Sequence, residues 1–281
     1  MLENLKLENM EIKNGIYCAN NIPDTSKIDM PIEGLDGIDI VNSTSFWHKH
    51  RTACIITAIK TFVPLQENQG FVDIGGGNGY NAVQLSNQGY PVILFEPTQN
   101  GVLSSKKRGV KNIVWGLFDS STVKECSMPA VGLFDVLEHI EDDGKFVRDL
   151  HSLLSENGKV VATVPAHKFL WSAKDNYMLH HRRYSLKQFE ELFCNNGFNI
   201  VYSTYFFSLL LPPMFFLKAL PYRLFSKNKN HHSFDKFAKE HESVGQSIAL
   251  YLLKFEQFLI KRTLKIPFGC SVLLVAQKSQ G

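Results

Sequence analysis

One segment, FVDIGGGNGYNAVQL from Phe71 to Leu85, constrains the chain more than any other. A short apolar run ends in an acid, Asp73, and is followed by Gly75, Gly76, Gly77 and Gly79 before helix-spaced apolar residues begin. Glycine loses more backbone freedom on folding than any other residue, so this density implies a sharp turn whose backbone something approaches closely. The helix that follows points its first unpaired amides at the same place. A nucleotide-like ligand is the natural occupant of such a strand, turn and helix.

The rest of the chain supplies a fold for that unit. Between Phe71 and Phe206 short apolar runs alternate with amphipathic stretches, the pattern of a parallel sheet with crossover helices. Strands are expected near 71–74, 92–96, 112–115, 130–135, 159–164 and 198–207, and a last one at 271–278 makes seven. Gly89, Gly109, Gly158 and Gly197 stand where the intervening helices should end. Ser185 followed by Gln188 reads as a capping box for a helix to about Asn196. A helix from Ser45 to Val63, stopped by Pro64, and another over 242–262 are expected on either side of the core. The first 40 residues show no clear periodicity.

These expectations divide the chain into an N-terminal extension and helical cap (1–64), a ligand-binding core (65–206), an apolar helical insertion (207–268) and the last core strand (269–281). At 281 residues two full domains would be cramped. A net charge of +3 is too balanced to hold a nucleic-acid backbone by bulk electrostatics, so no nucleic-acid partner is expected. Five scattered cysteines with no C-x-x-C pair, and an acidic N-terminus without an apolar signal region, suit a reducing cytoplasm.

The identity of the ligand turns on the acids. Gly77, Gly79 and Ala82 also satisfy the G-x-G-x-x-A form of a dinucleotide turn, so a nicotinamide-dependent oxidoreductase is one reading. Asp73 opposes it, because an acid just ahead of the turn repels a pyrophosphate and suits an amino group and a sulfonium. With Asp73 before G-x-G-x-G, Glu96 closing the strand VILFEP ahead of Pro97, and Asp119 in WGLFDSS, the chain resembles the class I S-adenosylmethionine-dependent methyltransferases. The resemblance implies a Rossmann-like α/β fold, a seven-stranded, mostly parallel sheet with helices on both faces. It also implies that S-adenosylmethionine lies over Gly75, Gly77 and Gly79. Glu96 would then accept from the ribose hydroxyls and Asp119 from the adenine amino group, with Phe118 or Leu117 covering the ring.

Two further stretches narrow the resemblance. LFDVLEHIEDDGKF, with Asp135, Glu138 and His139, resembles a segment of small-molecule methyltransferases related to the ubiquinone-biosynthesis O-methyltransferases. VPAHKFLWSAKDNYMLHHRRYS and the earlier FWHKHR, with Trp47, resemble a subgroup of the same enzymes. Neither an Asx-Pro-Pro-aromatic run nor a Pro-Cys pair follows the fourth strand, so methylation of nucleic-acid bases is not expected. The expected reaction is transfer to oxygen of a small, partly apolar acceptor, with a binding protein that has lost catalysis as the non-enzymatic alternative.

A hydroxyl acceptor needs a base, and histidine is the favoured one near neutral pH. His139, His167 and His181 are the candidates, while Trp47, His180, Arg182, Arg183 and Tyr184 are candidates for holding the acceptor. The two arginines equally suit a structural tie to Asp175 or Glu138. No metal site is expected, since His48 and His50, two apart on a helix, face different ways. The apolar run from Tyr205 to Leu217, broken by Pro212 and Pro213, is too short for a simple membrane span; it opens the insertion FFSLLLPPMFFLKALPYRLF, which Lys227 and Lys229 follow. The insertion reads as a lid over an apolar pocket, a peripheral membrane contact, a homodimer contact or plain core.

Overall fold

The structure, a computed structural model, describes residues 2–23, 46–64, 69–225 and 244–279. Its sheet has nine strands: β1 Met10–Lys13, β2 Ile16–Ala19, β3 Phe71–Ile74, β4 Val92–Glu96, β5 Asn112–Trp115, β6 Met128–Phe134, β7 Leu154–Pro165, β8 Phe198–Phe206 and β9 Ser271–Lys278. They lie in the order β1-β2-β5-β4-β3-β6-β7-β9-β8. Seven of them are the expected core, and β1 and β2 correct the count. This antiparallel pair extends the sheet edge, with β2 running parallel to β5. Its two four-residue strands, one of them largely exposed, are too short to register as a period.

The strands β5, β4, β3, β6 and β7 run parallel, and β9 is antiparallel to both of its neighbours. From β3 the chain builds outward first through β4 and β5, then on the other side through β6 and β7. The carboxyl ends of β3 and β6 therefore meet at the switch point where open α/β sheets bind ligands. Both faces of the sheet are buried. Along β4, Ile93 and Phe95 enter one apolar cluster while Val92 and Leu94 enter the other, and β9 divides the same way. That two-sided burial explains why the parallel strands read as continuous apolar runs.

The helices are α1 Phe46–Phe62, α2 Tyr80–Ser86, α3 Gln99–Arg108, α4 Asp143–Leu153, α5 Ala173–Tyr177 and α6 Leu186–Cys194. Gly109 caps α3 in the left-handed conformation, and Ser185 with Gln188 forms the capping box of α6. Gly158 does not cap α4. It lies inside β7, which starts at Leu154, and a Cβ there would stand 2.8 Å from the Ser155 carbonyl oxygen.

After Phe206 the chain forms one helical run: a 3-10 turn at Ser208–Leu210, α7 Leu211–Met214, a π-helical turn Phe215–Ala219 and α8 Leu220–Phe225. Pro212 and Pro213 do not interrupt it. They occupy the first turn of α7, where a missing N–H costs nothing. A last helix, α9 Val244–Lys261, packs against α1. Lys227 and Lys229, and the side chains of Val244, Ile248, Tyr251 and Leu252 in the expected helical pattern, lie outside the described residues.

Candidate functional site

The site gathers at the carboxyl ends of β3, β4 and β6. Three glycines of the turn after β3, Gly75, Gly77 and Gly79, have φ of 65°, 55° and 74°, in the left-handed region that glycine alone enters without cost. A Cβ on Gly76 would stand 2.6 Å from a Leu94 methyl and 2.8 Å from Asp73 Oδ2, so the turn folds tightly over its own acid. A Cβ on Gly77 would meet nothing within 4 Å, and there the turn faces open space.

Asp73 is 1% exposed, and neither of its oxygens accepts a well-formed hydrogen bond. Burial drives its pKa up to about 7, against the opposing influence of Arg51 and the Ala82 amide. Such a carboxylate is poised for a cationic partner. Glu96, 3% exposed, is instead engaged: Oε2 accepts from the Gly77 amide at 2.8 Å, and Oε1 from the Thr98 amide and hydroxyl at 2.9 and 2.5 Å. Thr98 also caps α3 by accepting from the Gly101 amide. Gly101 is needed here, because its Cβ would lie 2.7 Å from the Glu96 carboxyl carbon.

Pro97 accepts from the Trp115 indole N–H at 3.1 Å. Beyond β5, Phe118 is buried edge-on against Phe95 at 5.1 Å, whereas Leu117 is 43% exposed. Of the two, Leu117 presents the accessible surface. Asp119 accepts from Asn21 Nδ2 and from the Ser121 amide and hydroxyl, which ties this turn to the segment after β2.

Asp135 follows β6 with φ of 58° and is fixed to β7, its amide donating to the Thr163 carbonyl and its Oδ1 accepting from the Thr163 hydroxyl. Arg51 of α1 approaches its Oδ2 to 3.1 Å. Glu138 is 1% exposed, and burial followed by the charge of Asp135 pushes its carboxyl well above the usual range. Its carbonyl accepts from the His181 amide, while the His181 side chain is exposed.

Beside this lies a second, polar group. His180 Nδ1 is 2.9 Å from Asp175 Oδ1, and Arg183 donates to both Asp175 oxygens at 2.7 and 3.1 Å. Burial raises the Asp175 pKa, but His180 and Arg183 outweigh it and hold the carboxyl down at about 2. The His139 and His180 rings meet edge to face at 4.8 Å. A carboxylate oxygen of Glu138 and a ring nitrogen of each histidine lie within 4.8 Å of one another, a donor set that suits a divalent cation. His167, with φ of 59°, stacks on Phe169 and Tyr205, and burial lowers its pKa.

Of the remaining candidates, Arg183 takes the structural tie to Asp175, and Arg182 pairs with Asp143 at 2.7 Å. Tyr184 is 5% exposed and donates to Asp143 and the Leu137 carbonyl. Trp47 stacks on Phe207 at 3.8 Å, at the start of the insertion. Nearby, buried His50 lies 2.8 Å from Glu256 Oε2, and Glu256 accepts from the amides of Phe207 and Ser208. Arg51, Asp175 and Gly101 are the residues that sequence reasoning did not assign to the site. Arg51 carried a signal as the last residue of FWHKHR, and Asp175 as a possible tie for the two arginines, whereas Gly101 carried none. A cavity of about 540 Å³ lined by Phe62, Glu190, Tyr202 and Lys265 contains none of these groups.

Residues 46–203, more than half of the chain, match a family described as "Methyltransferase domain". The chain belongs to that family. No curated protein matches the sequence. Among solved structures it resembles phosphoethanolamine N-methyltransferase 2 of Haemonchus contortus in complex with S-adenosyl-L-methionine (18% identity, 88% of this chain and 57% of that one, TM-score 0.56). It also resembles a chain from the complex between the Haloferax volcanii Trm112 activator and a putative methyltransferase (12% identity, 89% and 97%, TM-score 0.55). A third is a putative sarcosine dimethylglycine methyltransferase from Galdieria sulphuraria (14% identity, 83% and 86%, TM-score 0.53). At these identities the likeness is one of fold. S-adenosylmethionine is the cofactor of this methyltransferase domain, which sets aside the nicotinamide reading of the glycines. Asp73, an acid without a well-formed hydrogen bond beside an open glycine turn, fits a ligand that brings an amino group there.

Proposed function

We propose that the protein methylates an oxygen of a small, partly apolar acceptor in the cytoplasm, as the ubiquinone-biosynthesis O-methyltransferases do. S-adenosylmethionine supplies a methyl group on a positively charged sulfur. Asp73 would take the amino group of the cofactor, the turn through Gly75, Gly77 and Gly79 would line its path, and Glu96 would hold the ribose. Asp119 and Leu117 receive the adenine, with Phe118 and Pro97 as the packed floor. Arg51, together with Asp135 and Glu138, closes the methionyl end.

The observation that carries the choice of oxygen is the Asp175–His180 pair. A buried carboxylate that binds one imidazole nitrogen fixes the tautomer and orients the ring, the arrangement of a general base. His139 packs against that ring, and His167, its pKa lowered by burial, offers a further imidazole. His181, with its exposed side chain, serves through its amide. Trp47 and Tyr184 give the acceptor space its apolar walls, with Arg182 and Arg183 as supports.

The test has two stages. Calorimetry with S-adenosylhomocysteine and with NAD should show binding of the first alone, and stabilisation by NAD alone would sink the reading. A screen of phenols, hydroxy acids and amines with labelled cofactor then assigns the acceptor atom. Methylation of amines only would remove the oxygen assignment, and cofactor binding without methylation of any acceptor would favour a non-catalytic binding protein.

A further inference from the structure

The helical run from Ser208 to Phe225 is apolar on two sides. One side packs into the core through Leu210, Leu211, Met214, Phe215 and Ala219. The other shows Leu209, Phe216, Leu217 and Leu224, spaced by two helical turns (209 to 216, 217 to 224) and between 50% and 68% exposed. A helix apolar all round is ordinarily buried all round. Among the described residues nothing covers this second face, and single scattered leucines do not explain a stripe.

α9 repeats the arrangement. Leu253, Glu256 and Ile260 are buried, while Phe255 and Phe258 stand 60% and 48% exposed and stack on each other at 5.9 Å. Glu256 bonds the amides of Phe207 and Ser208, so α9 and the start of the insertion are tied together. The charge on these segments has one sign. Arg223, Lys254, Lys261 and Arg262 are exposed, and the sole acid in 207–225 and 253–268 is the buried Glu256. Arg262 lies over the Phe258 ring at 5.4 Å, a cation carried on an aromatic anchor.

We propose that this face docks on an anionic lipid bilayer, the exposed leucines and phenylalanines entering the headgroup boundary and Arg223, Lys254, Lys261 and Arg262 meeting lipid phosphates. The charge selects the occupant. A two-fold dimer would set this cationic face against itself, whereas an anionic surface attracts each such cation. A lid role would use the inward side, which the core already occupies. No helix among the described residues is long and apolar enough to cross a membrane, so the contact is peripheral. The surface adjoins the acceptor side of the site, since Phe215 packs edge-on to Phe169 and Arg223 donates to the Phe169 carbonyl.

The test is sedimentation of the full-length protein with vesicles of phosphatidylcholine alone and with about a quarter phosphatidylglycerol. Pelleting with the anionic vesicles, reduced by high salt, is expected. Replacing Lys254, Lys261 and Arg262 by Glu should lower the partition coefficient at least ~10-fold, and Leu217→Ser with Phe216→Ser by a similar factor. Melting temperature and affinity for S-adenosylhomocysteine report separately whether each variant is folded. The proposal is overturned if the wild type stays in the supernatant with both vesicles, or if the charge reversals pellet like the wild type. A dimer in light scattering that the two serine substitutions dissociate, without vesicle binding, would reassign the face to a second copy.

Discussion

The two halves of the site are built on different principles. The cofactor half is backbone and short range: a glycine turn, an acid two residues before it, and a second acid capped by the threonine two positions on. The acceptor half and the methionyl end beside it are assembled from afar. Arg51 comes from α1 and Asp135 from the end of β6, where their side chains pair, and Asp175 on α5 holds His180 and Arg183 by its carboxylate and accepts from the His180 amide at its carbonyl. A turn set by local sequence keeps its chemistry wherever the strand order puts it. A cluster of distant side chains exists only if the whole sheet is right, so damage to it should register first as lost stability.

The sharpest test of that contrast is Asp175→Asn. It leaves Arg183 and His180 beside a neutral partner, and breaking a buried pair of this kind costs roughly 3–5 kcal/mol. Urea unfolding should reveal the loss, while affinity for S-adenosylhomocysteine changes little. The pH dependence has a definite sign. A carboxyl held at about 2 in the folded chain, against about 3.9 when unfolded, stabilises fully above pH 4 and loses that contribution as pH falls toward 2. The stability difference between wild type and variant should shrink across that window.

The converse is expected of Asp73→Asn: at least ~100-fold weaker binding of S-adenosylhomocysteine in calorimetry, for loss of a charge-assisted bond, with unaltered or raised stability. Its folded pKa is raised to about 7, so ionising Asp73 destabilises the free protein as pH climbs from about 4 through 7. Binding of an amino group needs the ionised form. Affinity should therefore rise with pH and level off above 7, falling by up to ~10-fold per unit below it, and the asparagine variant should lack this slope. Equal slopes in the two proteins would show that Asp73 does not meet the cofactor.

A smaller effect is expected at the edge of the acceptor half. Ser185→Ala removes the capping box of α6 and should cost about 1 kcal/mol in urea unfolding. Cofactor affinity should not change. If it does, the halves are coupled through α6 more tightly than their contacts suggest.

The contrast also explains what the sequence revealed. β3, β4, β5 and β9 were legible to the residue, because each is a short run buried on both faces and bounded by turn residues. Asp73 and Glu96 were legible for the same reason, as acids at strand ends. β1 and β2 were not, since four residues with an exposed side carry no readable period. Gly158 misled because a glycine inside an irregular strand start and one after a helix look alike in sequence. The prolines of the insertion read as a break, yet a helix start tolerates them. Arg51 and Asp175 have roles defined by partners more than 80 and by 5 to 8 positions away, of which only the nearer, with Arg183, was open to a sequence argument.

The position of β9 has a consequence for synthesis. It fills the slot between β7 and β8, so until the chain has been made as far as Lys278 those two strands have no common partner and the sheet stands open along its length. The glycine turn and its acids emerge some 200 residues earlier, on strands already able to pair with one another. A nascent chain would thus have its cofactor turn in place while still exposing two apolar strand edges, the stage at which it is most open to aggregation and to chaperones.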